Sequence, residues 1–119
     1  MIQLERFALV ALGGAAGSVL RYWAAIQFGA GPATTLGINV SGSFLIGVLM
    51  GVFGGADSRW RFLLGVGFLG GYTTFSTFEY ETLAVLRNGQ VWTALFYVLG
   101  SVLGGFAGVW LGFCAAGRR

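Results

Sequence analysis

The chain has 119 residues, 56% of them hydrophobic and 9% charged, with a net charge of +3. An average soluble domain carries roughly 25% charged residues, and a chain this short cannot hide so much apolar surface from water, so a water-soluble domain is excluded and a membrane protein is expected. The sequence has no lysine, no histidine and one cysteine, Cys114, which removes disulfide frameworks, Cys-ligated metal sites and most catalytic constellations. No enzyme is expected, and the small positive charge does not point to nucleic acid.

A helix that crosses the hydrocarbon core needs about 20 mostly apolar residues. Four segments of the 1–119 single domain qualify, at 4–28, 33–54, 61–86 and 91–115. Arg6 ahead of the first apolar run imitates a signal peptide, but no soluble domain follows, so the run is read as a retained span. Short turn-like connections around Pro32, at 54–60 and at 87–90 predict a compact all-α bundle with both termini on one side.

Span one combines small residues, GGAAG at 13–17, with Ser18, Arg21, Tyr22 and Trp23. Arg21 suits either snorkelling to the interface beside its aromatic neighbours or a functional role. Span two carries Thr34, Thr35, Asn39, Ser41 and Ser43. Asn39 and Ser43 share a helix face, which serves interhelical hydrogen bonding or a polar lining equally well.

Span three is the informative one. After FLLGVGFL the chain reads GGYTTFSTFEYE at 70–81, so a polar, glycine-rich segment falls near the midplane. Adjacent glycines and β-branched threonines weaken a helix, and a break is expected between Gly70 and Thr74. Non-helical backbone at that depth must be buried in protein or meet water or an ion, and freed carbonyls suit a cation such as Na⁺. Beyond the break, Phe75 and Phe78 are three apart on one face, with Ser76 and Thr77 between them. Such a pair is ordinarily packing, but the positive edges of aromatic rings beside hydroxyls also make a weakly attractive lining for an anion. Glu79 and Glu81 return the chain toward water.

Span four holds Gly100, Gly104, Gly108 and Gly112, one every four residues. Gly13 and Gly17, Gly47 and Gly51, and Gly67 and Gly71 repeat that spacing. In lipid, small residues at this interval let backbones approach closely.

GGAAGSVLRYW at 13–23, TLGINVSGSFLIG at 35–47 and GFLGGYTTFSTFEYE at 67–81 resemble, in this order, the signature segments of the Fluc/CrcB fluoride channels. The resemblance covers nearly the whole chain. It implies a multi-pass protein of the bacterial inner membrane that passively exports fluoride. Four transmembrane helices per subunit, the third broken near the midplane, would form an antiparallel dual-topology dimer with two pores along its interface and a structural Na⁺ at its centre. The family's sodium-binding carbonyls map onto Gly70 and Thr73. Its pore phenylalanines map onto Phe75 and Phe78, its polar track onto Ser76 and Thr77, its pore asparagine onto Asn39 and its vestibule arginine onto Arg21. A glutamate after the second phenylalanine maps onto Glu81, and a span-four tyrosine and serine map onto Tyr97 and Ser101.

Arg6, Arg59, Arg61, Arg118 and Arg119 fall on the side of the termini, with Arg21 and Arg87 opposite. Dual insertion is easiest when such charges balance, so both a homodimer and a heterodimer with an oppositely oriented paralogue stay open. The rival reading is a small proton-coupled multidrug exporter. That mechanism needs a carboxylate well inside span one, whose only acid is Glu5, at its start.

Overall fold

The computed structural model describes residues 2–55 and 57–117. Arg118 and Arg119, two of the arginines expected on the side of the termini, lie outside the described residues. The chain is an all-helical membrane protein. Helix α1 is Gln3–Phe28 and α2 is Pro32–Phe53; α3 is a π-helical stretch, Arg61–Leu69, that runs into one α-turn, Gly70–Tyr72. Helix α4 is Phe75–Arg87 and α5 is Val91–Ala115. Helices α1, α2 and α5 are each long and apolar enough to cross a bilayer. The remaining crossing is made in two pieces, α3 and α4, on either side of Thr73 and Thr74.

The connections follow from local chemistry. Pro32 opens α2, where its missing N–H costs nothing. Gly54 ends α2 with φ 59°, a left-handed conformation that favours glycine, and its N–H is donated to Met50 O at 2.7 Å.

Short connections make consecutive helices antiparallel, yet the tightest backbone contacts join helices that are not consecutive. Helices α1 and α3 run parallel. A Cβ at Gly67 would stand 2.9 Å from Val10 O, one at Gly71 2.5 Å from Gly14 O, and one at Gly17 2.0 Å from Phe68 O. Helices α2 and α5 also run parallel, with Gly47 against Val109 O at 2.3 Å, Gly112 against Phe44 O at 2.1 Å and Gly51 against Ala116 Cβ at 2.5 Å by the same measure. The bundle is therefore two parallel glycine-packed pairs, the arrangement small-xxx-small faces favour in lipid. The span-four ladder is tight at Gly108 and Gly112, loosens at Gly104, which meets only Val40 Cγ2 at 3.3 Å, and is open at Gly100.

The double glycine is not where the helix breaks. Gly70 is right-handed helical, with φ −62° and ψ −39°, and Gly71 is needed for its close approach to α1. The extended residues are Thr73, with φ −84° and ψ 153°, and Thr74, with φ −145° and ψ 118°.

One end of the bundle gathers the start of α1 and the end of α5. Arg6 pairs with Asp57 at 2.6 Å and Arg59 with Glu5, tying the start of α1 to the 54–60 connection, while Gly51 meets Ala116. Exposed Trp60 and Trp110 lie toward this end and exposed Trp23 and Trp92 toward the other, as expected of two interfacial belts. Large apolar side chains such as Leu12, Val19, Phe96, Leu103 and Phe106 are exposed along the shaft, where lipid is their solvent.

Candidate functional site

The break is held open by one side chain. Asn39 Nδ2 donates to Thr74 O at 3.0 Å, and Thr74 N donates to Asn39 Oδ1 at 2.8 Å. A single amide thus bonds both backbone groups of an extended residue, including an N–H that no neighbouring helical turn can serve. Thr74 Oγ1 accepts from Thr77 N at 3.3 Å, an N-cap that starts α4. In a continuous helix, Thr74 N–H would be directed to the carbonyl of Gly70 and Thr77 N–H to that of Thr73. Both donors are diverted here. From the other flank, Arg21 Nε donates to Gly71 O at 3.1 Å.

Beside the break lies an open groove of about 450 Å³. Its lining includes Asn39, Gly70, Thr73, Phe75, Phe78 and Ser101. Phe78 is buried and Phe75 is 74% exposed; their rings meet edge-on at 5.9 Å and 66°. Phe78 makes a second edge-on contact, with buried Tyr97, at 5.0 Å and 77°. Ser101, one turn beyond Tyr97 on α5, has a buried hydroxyl with no hydrogen-bond partner among the described residues.

A narrower compartment of about 110 Å³ lies across Thr74, which borders both spaces. It is lined by Arg21, Thr34, Thr35, Thr77 and Glu81, among others. Tyr97 joins the two, since its hydroxyl donates to Glu81 Oε1 at 2.8 Å while its ring touches Phe78. Ser76, read from the sequence as part of the same track, is exposed and lines neither space. Asn39, Gly70, Thr73, Phe75, Phe78 and Ser101 thus share the groove, Arg21, Thr77 and Glu81 share the compartment, and Tyr97 bridges them. Thr35 belongs with them. It is buried, it lines the compartment, and its spacing of four from Asn39 is the signal that would have singled it out.

The fold and the site together define a multi-pass, all-helical membrane protein with a neutral, hydroxyl- and ring-lined groove at a helix break. A model of the family described as CrcB-like protein, Camphor Resistance (CrcB), matches residues 8–113, and the chain belongs to that family. It is 47% identical over 121 residues to the fluoride-specific ion channel FluC of Thermus thermophilus, covering 96% of this chain and 95% of that protein. It is likewise 47% identical over 121 residues to FluC of Solibacter usitatus, covering 95% of this chain and 99% of the other. FluC of Leptospira interrogans is 47% identical over 115 residues, covering 87% of this chain and 91% of its own.

Proposed function

We propose that this chain is a fluoride-selective channel that lets fluoride leave the cytoplasm passively through the inner membrane. The observation that carries the reading is the groove at the break, where neutral donors and aromatic rings meet and the buried Ser101 hydroxyl has no partner among the described residues. Full-length relatives named as fluoride-specific channels support the choice of ion.

The physical task is to replace water around a strongly hydrated anion. Burying even a carboxylate-sized ion costs on the order of 20 kcal/mol in the idealised limit, and fluoride is smaller. A ring of full positive charges would offset this but hold the ion too tightly to conduct. A row of weak sites, with the amide of Asn39, the hydroxyls of Ser101 and Thr77 and the edges of Phe75 and Phe78, eases dehydration in small steps. Arg21 supplies attraction at the compartment, where the nearby Glu81 moderates its charge. An acid bonded to a tyrosine leaves its other oxygen free to exchange hydrogen bonds as the anion passes.

The working unit is an antiparallel dimer, either of two copies or of this chain with an oppositely oriented paralogue. The openness of the groove and the exposure of Phe75 beside it favour a second subunit closing the path. A sodium ion at the dimer centre would be held by the carbonyls of Gly70 and Thr73, whose helical donors are diverted to Asn39 and Thr74. Bound there, it supplies the full positive charge that the groove otherwise lacks.

The exporter reading lacks its essential residue. Glu5 is the only acid of α1, it sits in the first turn, and it is paired with Arg59. Fluoride efflux from proteoliposomes, followed with a fluoride electrode at several imposed pH gradients, separates the two. A channel gives efflux governed by the fluoride gradient and the membrane potential alone; efflux that requires a proton gradient, or proton-coupled flux of a cationic drug, would favour the exporter.

A further inference from the structure

We propose that Tyr72 and Ser41 are a pair of positioning residues that sets the direction of the Thr73 carbonyl at the break. The proposal deepens the sodium reading and rests on it. Three consecutive residues, the last of α3 and the two of the break, meet α2. Tyr72 Oη lies 3.0 Å from Ser41 Oγ, Thr74 is bonded at two points by Asn39, and Thr73 lies over Gly42. A Cβ at Gly42 would be 2.3 Å from Thr73 Cγ2 and 3.3 Å from the Tyr72 ring, so glycine alone lets both settle on this helix.

The hydrogen bonds have a defined sense. Ser41 Oγ donates its proton to Ile38 O at 3.0 Å, so toward Tyr72 it can only accept, and the phenol is the donor. Phe68 stacks on the Tyr72 ring at 6.1 Å and 14° and limits its swing. Asn39 fixes the peptide groups that follow Thr73, and the Tyr72–Ser41 bond fixes the turn that precedes it. Thr73 N–H and Oγ1 both bond Leu69 O, at 3.0 and 2.9 Å, so without the Tyr72–Ser41 bond the last turn of α3 and the Thr73 carbonyl shift together against α2. Ser41 is exposed on the outer surface, where no bulk water replaces a lost bond.

The chemistry makes the two single changes unequal. Tyr72→Phe removes the donor but leaves Ser41 bonded to Ile38, so no polar group is orphaned. Ser41→Ala strands the phenol in an apolar setting, which costs more than losing the bond. Removing both hydroxyls in Ser41→Ala/Tyr72→Phe relieves that cost.

The test is the unfolding temperature of the full-length protein in detergent, measured across sodium chloride concentrations with choline chloride holding ionic strength constant. Bound ion stabilises the folded state by an amount that grows as the logarithm of one plus its concentration over Kd, so fitting the curve yields a sodium midpoint without any flux measurement. The expected result is a midpoint roughly fivefold or more higher in Tyr72→Phe, the loss of about one hydrogen bond. Ser41→Ala should shift it further, the double variant should return to the Tyr72→Phe value, and Ser41→Thr, which keeps the hydroxyl, should match the parent. Tyr80→Phe, on the exposed side of α4, should leave it unchanged. An unshifted midpoint in Tyr72→Phe, or a double variant worse than Ser41→Ala, overturns the pairing while leaving the sodium site standing. A parent protein whose unfolding ignores sodium overturns the sodium reading and the pairing with it.

Discussion

The side-chain amide of Asn39, on α2, bonds both the N–H and the C=O of Thr74, thirty-five residues on, and so supplies the acceptor that a continuous helix would have offered the N–H. This substitution lets a polypeptide remain non-helical halfway along a membrane crossing without leaving that residue's backbone unpaired. The same contact puts the amide beside the groove, so one residue both builds the break and faces what it creates.

Asn39→Ala is therefore expected to cost stability as well as conduction. It orphans the N–H of Thr74, worth about 1–3 kcal/mol when buried without a partner, and removes one of the bonds to its C=O. Asn39→Asp keeps the acceptor for Thr74 N–H but loses the donor to Thr74 O and places a carboxylate in an anion path. Thermal unfolding in detergent should rank the parent above both variants, and fluoride efflux should be abolished in Asn39→Asp. A fully active Asn39→Asp protein would contradict the placement of this residue.

The glycines differ sharply in what they can accept. Gly17→Ala and Gly112→Ala push a methyl to 2.0 Å and 2.1 Å of the backbone oxygens of Phe68 and Phe44, and backbone cannot move aside as a side chain can. Overpacking of this kind typically costs about 1–3 kcal/mol, occasionally more. Gly100→Ala meets nothing within 4 Å, and alanine favours a helix by about 1 kcal/mol over glycine. Yield and thermal stability should fall for the first two variants and hold or rise for the third.

The two phenylalanines should separate stability from conduction. Phe78 is buried and meets both Phe75 and Tyr97 edge-on, contacts worth about 0.5–1.5 kcal/mol each. Phe78→Ile should lower both the unfolding temperature and fluoride flux. Phe75, 74% exposed, has one ring contact among the described residues, with Phe78, so Phe75→Ile should lower flux at least tenfold (about 1.4 kcal/mol in the barrier) with a much smaller change in stability. Equal loss of stability in both would mean that the ring pair is packing alone.

Ser101 gives the opposite signature to most buried polar residues. Its hydroxyl makes no protein hydrogen bond among the described residues, so Ser101→Ala removes an unpaired group and should be neutral or stabilising by up to about 1 kcal/mol. If that hydroxyl serves the passing ion, fluoride flux should nonetheless fall. Unchanged flux in a fully folded Ser101→Ala protein would remove Ser101 from the path.

Much of this was legible in the sequence because bilayer physics leaves few choices. Length and hydropathy located the four crossings, and the four-residue glycine interval marked the close contacts except at Gly100 and Gly104. What escaped was pairing. Short connections say which helices are antiparallel, but not that α1 would choose α3 and α2 would choose α5, a matter of which glycine faces fit each other. The break fell inside the expected stretch from Gly70 to Thr74 but at its far end, for a related reason. Gly70 and Gly71 look like helix breakers, yet Gly71 is there to approach Gly14, and the discontinuity falls at Thr73 and Thr74, where a distant asparagine replaces the helical bonds. The separation of groove from compartment, and the link through Tyr97, depend on how α4 meets α5. No local motif carries that information.

Selectivity tests the central claim most directly. Proteoliposomes loaded with equal concentrations of fluoride and chloride, made permeable to potassium with valinomycin, should release fluoride rapidly while chloride stays inside. Both should be retained when the vesicles carry Phe78→Ile. Chloride leaving as fast as fluoride, or fluoride efflux undiminished in the variant, would contradict a fluoride path built on the groove at the α3–α4 break.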